Sequence, residues 1–219
     1  MSAGAPGPAP VGPPVIEARG LGKRRGGRWV VDDVSFTVAA GEVVALVGDN
    51  GAGKSTILAM VAGALAPGRG WVAIAGATSG RRRQLGYVPE GADPPGHLTG
   101  GELLALAAGL RGAPPLDARV RARLGLDELA DQRLERMSLG QRRRACLGAA
   151  LVGAPPALVL DEPDNGLDVA GLDALVELVA GATAAGTAVL VATHDPEVRT
   201  RLGARALPLA AGRLAVSAT

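Results

Sequence analysis

Residues 43–56 read Val43-Val44-Ala45-Leu46-Val47-Gly48-Asp49-Asn50-Gly51-Ala52-Gly53-Lys54-Ser55-Thr56. Five apolar residues without period-two alternation describe a strand covered on both faces. The stretch that follows fits G-x-x-x-x-G-K-[ST] and opens a helical pattern, so context and spelling agree. The glycines let the backbone wrap closely around phosphates, and the helix N-terminus offers free N–H groups and the positive end of a dipole. Lys54 reaches the β- and γ-phosphates, and the Ser55 hydroxyl suits Mg²⁺. Gly48, Asn50, Gly51, Ala52, Gly53, Lys54, Ser55 and Thr56 are therefore the candidate nucleotide contacts. Among 23 basic residues only Lys23 and Lys54 are lysines, so a lysine at this position is a chemical choice.

Outward from this loop, short β-rich runs alternate with helical ones. Strands are predicted over 15–19, 34–38, 42–47, 70–75 and 85–88, with a helix from near Gly53 to Gly63 or soon after. From Thr99 to Leu134 the strands give way to a Leu/Ala/Arg-rich stretch cut by Gly109, Pro114-Pro115 and Gly125. The β/α rhythm then resumes: helix 139–151, strand 157–161, helix 169–184, strand 187–192, helix 196–202, and a closing hairpin of 205–209 with 213–217. The fold class is α/β, a P-loop NTPase core with a mostly parallel sheet, an N-terminal antiparallel β-lobe and a helical subdomain inserted over about 97–152. Residues 1–14 read as a Pro/Gly/Ala-rich disordered tail, leaving one domain over 15–219.

Composition narrows the function classes. At 219 residues, 47% hydrophobic and 20% charged, the chain can bury one sizeable core. Its aromatics are Trp29, Phe36, Trp71 and Tyr87 alone, so stacking platforms for single-stranded nucleic acid are missing. The net charge of +2 is spread over interspersed arginines and acids, and no nucleic-acid partner is expected. Cys146, the single cysteine, excludes an internal disulfide and fits a reducing compartment. The longest uncharged stretches, 145–160 and 178–193, fall short of the ~20 apolar residues of a spanning helix. The N-terminus has neither the basic start nor the apolar run of a secretory signal.

Further chemistry lies at Ala157-Leu158-Val159-Leu160-Asp161-Glu162-Pro163, an apolar strand ending in two acids. Asp161 suits the Mg²⁺ shell, while Glu162 points toward an attacking water as general base. Upstream, Ser138 and Gln141 of Met137-Ser138-Leu139-Gly140-Gln141 read as a capping box, a second helix N-terminus able to meet phosphate.

With these motifs in this order, the chain resembles the nucleotide-binding subunits of ABC transporters over essentially 15–217. The 137–141 segment looks like the LSGGQ signature, Asp164-Asn165-Gly166-Leu167-Asp168 like the D-loop, and His194 in Ala192-Thr193-His194-Asp195 like the switch histidine at the γ-phosphate. The resemblance implies ATP and Mg²⁺ as cofactors and two subunits closing head to tail, Ser138, Gly140 and Gln141 covering the partner's P-loop. It also implies that Asp168 helps join the subunits and that a membrane-spanning permease on a separate chain is driven from the cytoplasmic face of the cell membrane. The NGAGKST and NGLD spellings, with no domain after the closing hairpin, resemble small bacterial exporter subunits.

Three positions depart from the family. Glu90 in Leu85-Gly86-Tyr87-Val88-Pro89-Glu90 stands where the Q-loop glutamine approaches Mg²⁺, making it a third metal candidate with Ser55 and Asp161. Arg25 replaces the aromatic that stacks on adenine, leaving Arg25 itself or Trp29 to meet the base. Leu139 takes the signature's first glycine position. Asp164 also stands where Thr or Ser is commoner. His97 lies in a Pro/Gly loop and reads as incidental. Of the arginine triplets, 81–83 reads as a solvated loop, and 142–144, beside a helix N-terminus, as facing phosphates or a partner's acids. The rival readings are a soluble ABC-type ATPase clamping nucleic acid or ribosomes, and a P-loop kinase or GTPase. The first relatives usually carry two cassettes or a long coiled coil, and the second class is opposed by the signature, the switch histidine and the missing guanine reader.

Overall fold

In the computed structural model, which describes residues 13–215, the predicted tail lies outside the described residues up to position 12. The first strand already begins at Pro14, and residues 216–217 of the closing hairpin also lie outside. Strands β1 (Pro14–Arg25) and β2 (Arg28–Ala39) form a long antiparallel hairpin turned by Gly26 and Gly27, both at positive φ. Both strands outrun the predicted stretches. With β3 (Val43–Val47) and α1 (Lys54–Val61) intervening, β4 (Arg69–Ile74) adds to β1 and completes a three-stranded antiparallel sheet ordered β2-β1-β4.

The main sheet continues with β5 (Leu85–Val88), β6 (Ala157–Asp161), β7 (Ala188–Ala192), β8 (Arg205–Ala210) and β9 (Arg213–Leu214), in the order β5-β6-β7-β3-β8-β9. The first five of these are parallel, and β9 closes antiparallel on β8. Between β5 and β6 lie α2 (Gly100–Arg111), α3 (Ala118–Arg123), a single turn of 3₁₀ helix and α4 (Leu139–Leu151), which form the inserted helical region. Helices α5 (Val169–Ala184) and α6 (Pro196–Arg201) follow β6 and β7.

Alternation along the buried strands sorts their side chains onto two faces. Val44, Leu46, Val159, Leu190 and Ala192 face α1 and the antiparallel lobe, joining Ile57, Leu58 and Met60 in one core. Ala45, Leu158, Leu160, Val189 and Val191 face the other way, with Leu147, Leu175 and Val198 from α4, α5 and α6. Each fully buried Leu, Ile or Met removed from water contributes about 1.5–3 kcal/mol. This core pins the C-terminal ends of β3, β6 and β7, where the loops of interest emerge. The closing hairpin buttresses one of them: the N–H of Gly212 donates to the Ala52 carbonyl (3.1 Å), and that of Asp32 to the Gly212 carbonyl (2.8 Å).

The 81–83 arginines are not merely solvated. Arg81 donates to the Met60 carbonyl (3.3 Å) and Arg82 to that of Gly63 (2.8 Å), supplying partners for carbonyls at the end of α1. Arg111 does the same at the end of α4, donating to Ala149, Ala150 and Val152.

Candidate nucleotide-binding and hydrolysis site

Helix α1 starts at Lys54 with Gly53 as its N-cap at φ 107°, and neither a side-chain cap nor an acid occupies its first turn. A Cβ on residue 53 would stand 2.6 Å from the Val30 carbonyl oxygen, so both the left-handed backbone and the approach of β2 require glycine. The first-turn amides are thus left for an anion. Lys54 is only 7% exposed and arcs back over the loop, its Nζ donating to the carbonyls of Gly48 (2.6 Å) and Asp49 (3.2 Å). Both partners are neutral, so its charge stays available to phosphate. Around position 51 the space is open, with no atom within 4 Å of where a Cβ would stand. Asn50, Gly51 and Ser55 are exposed at the loop's mouth, and Ala52 and Thr56 anchor it from below.

Ser55 Oγ donates to Asp161 Oδ1 at 3.3 Å, which brings the loop to the end of β6. Asp161 is 3% exposed, and burial raises its pKa; the Ser55 hydroxyl opposes that rise, while the charges of Glu90 and Glu162 add to it. A hard cation offered the Ser55 hydroxyl and the Asp161 carboxylate would relieve the carboxylate crowding. Among the described residues no group of three or more His, Cys, Asp or Glu side chains forms a metal cage. The oxygen set therefore fits Mg²⁺ held through one or two protein oxygens and substrate phosphates.

Glu162 is 8% exposed and sits at φ 46°, a left-handed backbone that costs a non-glycine residue on the order of 1–3 kcal/mol. Its carboxylate meets His194, whose Nδ1 lies 2.8 Å from Glu162 Oε2 and whose backbone N–H donates to the same oxygen at 3.3 Å. That hydrogen bond, with the carboxylate charge, raises the His194 pKa. Glu90 follows β5 and is exposed, close enough for its charge to act on Asp161.

Ser138 caps α4 as predicted: its Oγ accepts from the Gln141 N–H (3.2 Å), and Gln141 Oε1 accepts from the Ser138 N–H (2.9 Å). Ser138, Gly140 and Gln141 line a pocket of about 310 Å³ with Gly166, Leu167 and Asp168, and no residue of the 48–56 loop borders it. One chain therefore carries two phosphate-suited helix ends in separate places. Asp168 spends its carboxylate on the N-cap of α5, accepting from the Gly171 N–H at 2.8 Å.

The 142–144 triplet divides, with only Arg144 bordering the Ser138 pocket. Arg142 pairs with Asp93 (3.3 Å), Arg144 donates to the Leu124 carbonyl (3.1 Å), and Arg143 turns inward, 5% exposed, into the main chain beneath the acids. The sequence carries no local signal for this inward turn. Arg25 is exposed at the tip of the β1–β2 hairpin opposite Arg28. Trp29 is held against the guanidiniums of Arg24 (4.3 Å) and Arg69 (4.4 Å). His97 is exposed in its loop.

The family model described as ABC transporter matches residues 31–165. The chain belongs to the ABC transporter family. It is 37% identical over 212 residues to an ABC transporter ATP-binding protein of Streptomyces avermitilis, covering 92% of this chain and 37% of that one. It is 36% identical over 203 residues to the cobalt import ATP-binding protein CbiO of Rhodobacter capsulatus, covering 86% and 72%. Over 185 residues it is 37% identical to the cytochrome c biogenesis ATP-binding export protein CcmA of Rhodopseudomonas palustris, covering 83% and 92%. The chain thus spans just over a third of the Streptomyces relative and most of the other two. Its fold superposes on the ATP-binding subunit of an ABC transporter with a TM-score of 0.86 and 31% identity, over 92% of this chain and 88% of that one. ATP-binding domains of this family are ATPases.

Within this ABC cassette the Leu139 departure has a physical reason. Leu139 is 66% exposed and drapes over Gly166, so the added side chain has room outside. Position 140 has none, since a Cβ there would stand 2.8 Å from the Gly166 carbonyl oxygen. The residue that could not change is the one retained. Among the described residues no helix is long and apolar enough to cross a membrane.

Proposed function

We propose that the chain binds and hydrolyses ATP as one of two cassettes that close head to tail over two ATP molecules, and that it drives a separate membrane-spanning permease. The observation that carries this is the separation of the two phosphate-suited helix ends: the signature at α4 borders a pocket to which no residue of the P-loop at α1 contributes. A second cassette, whether identical or a relative, brings the missing half of each site.

In this reading the 48–56 amides and Lys54 hold the phosphates, and Ser55, Asp161 and Glu90 supply oxygens for Mg²⁺, which neutralises developing phosphate charge. Glu162 takes the proton of the attacking water. His194 holds the Glu162 carboxylate in place and faces the γ-phosphate. Glu90 is tested by Glu90→Gln: the Mg²⁺ dependence of ATPase activity should shift clearly from wild type, and superimposable curves would remove Glu90 from the metal site.

Arg25 meets the base. With Trp29 engaged by two guanidiniums, ATP and GTP should bind within about tenfold of each other, ~1.4 kcal/mol. A hundredfold preference in a titration would contradict this.

The surface that supports a permease contact is a groove of about 700 Å³ beside Glu90, between α2, α4 and the end of β5, with Tyr87, Pro89, Leu103 and Leu110 among its walls. Leu110 is left largely exposed there, an apolar surface suited to a partner. The cassette then sits peripherally on the cytoplasmic face of the membrane. Export rests on the NGAGKST and NGLD spellings alone, since relatives named for import and for export match the chain about equally. Purification from native membranes tests the reading: the chain should come away with a polytopic membrane protein, and recovery only with ribosomes or nucleic acid would favour a mechanical clamp.

A further inference from the structure

Arg143 lies in the second turn of α4, and every donor of its guanidinium goes to a main-chain carbonyl. Nη1 donates to Pro89 (2.8 Å) and Glu90 (3.3 Å), Nη2 to Asp161 (2.6 Å) and Glu162, and Nε to Pro163 (3.4 Å). A buried guanidinium without a direct carboxylate partner is expensive. Consistent with that, burial lowers its pKa, against which Cys146, Asp161, Asp164 and Glu90 pull only partly. A planar fork of five N–H groups is one of few side chains able to reach so many acceptors from a single Cα. The acceptors matter as much as the donor. They belong to the segment bearing Glu90, the end of β6 bearing Asp161 and Glu162, and the turn after it.

The backbone at Glu162 cannot hold its left-handed conformation unaided. Such strain persists where surroundings over-determine it, and here two contacts do so: the Glu162 N–H donates to the Ala192 carbonyl (2.8 Å), and its own carbonyl accepts from Arg143.

We propose that Arg143 is a positioning residue for hydrolysis, tying the Glu90 segment and the strained Asp161-Glu162 main chain to the first turns of α4. Because Ser138 and Gln141 begin the same helix, a displacement of the signature end is carried rigidly to the carboxylates of this chain's own site. The proposal rests on the ATP-hydrolysing reading above for its catalytic consequence, and on the contacts alone for its structural one.

The test compares Arg143→Met, Arg143→Gln and Arg143→Lys with wild type. Turnover is expressed per folded molecule, with the folded fraction from circular dichroism, and amide exchange is followed in nucleotide-free protein. Misplaced carboxylates should lower kcat about 10- to 100-fold in Arg143→Met while KM stays within about threefold. Gln, with two amide donors, should recover part of the loss. Lys, which keeps the charge but not the fork, should recover little. Exchange should quicken at the amides of Ala92, Glu162 and Asn165 and stay unchanged at Ile57 and Leu58. A kcat per folded molecule within twofold of wild type, or exchange raised equally at Ile57, overturns the proposal. If Arg143→Met does not fold, the Gln and Lys variants carry both measurements. A wild-type protein that hydrolyses no ATP would sink the functional reading, while the exchange pattern would still decide whether Arg143 holds these segments.

Discussion

Glu162→Gln is expected to leave ATP binding intact and slow turnover roughly 10²–10⁴-fold, the contribution of a positioned general base. The substitution is nearly isosteric, so the left-handed turn and the hydrogen bond from the His194 N–H are retained while the proton acceptor is lost. The carboxylate is buried and held by His194 on two atoms of that residue. Asp161 meanwhile keeps its own contact with Ser55. Steady-state ATPase rates and a nucleotide titration on the same preparation check both halves. An unaltered rate would remove Glu162 from the mechanism. A lost rate accompanied by lost binding would mean that the residue shapes the pocket rather than the chemistry.

Lys54→Ala should act on the other half of the site. Lys54 is the cation aimed into the loop whose amides are otherwise neutral donors, and hydrogen bonds to charged groups contribute about 1.5–3 kcal/mol each. Losing it should weaken ATP binding on the order of 10- to 150-fold. Turnover at saturating nucleotide should also fall about 10²–10³-fold, because the charge on the transferring phosphoryl group loses a preorganised partner. Calorimetric titration and ATPase assays read the two effects separately. The fold should survive, since the ammonium's partners in the free protein are two loop carbonyls able to turn to water. ATP affinity equal to wild type would mean that the 48–56 loop is not the phosphate site.

How much of this was legible in the sequence follows a physical line. The P-loop, the paired acids and the α4 capping box are local: glycine spacing, a run of buried residues and an S-x-x-Q pair fix geometry within a few residues, and the structure places each where its spelling indicates. The three-layer core was legible for the same reason, because residues 43–47, 157–161 and 188–192 lack the alternation of half-exposed strands. Side chains that close distances across the fold were not. Arg143 sits in a triplet that reads as a charged helix start, and its partners at 89–90 and 161–163 come from two other elements. Arg82 and Arg111 likewise reach carbonyls at the ends of helices they do not belong to. A guanidinium capping a distant helix end leaves no periodicity, so an arginine-rich chain hides its structural arginines among its solvated ones. Trp29, the alternative to Arg25 at the base, is likewise engaged by arginines from two strands, Arg24 and Arg69.

Asp168 and Ser138 each combine a local part with a surface that a single chain leaves open. Both side chains satisfy helix N-termini within the chain, yet the pocket they border is phosphate-suited and lies apart from the P-loop. In the proposed function each site is composite and is completed by a second cassette. Light scattering on the Glu162→Gln protein, which binds ATP without consuming it, measures this most directly. With Mg²⁺ and saturating ATP the mass should rise from the 21.8 kDa of one chain to about twice that, and fall back when nucleotide is removed. A chain that binds ATP stoichiometrically and stays at 21.8 kDa at every protein concentration, alone and mixed with a related cassette, would contradict it.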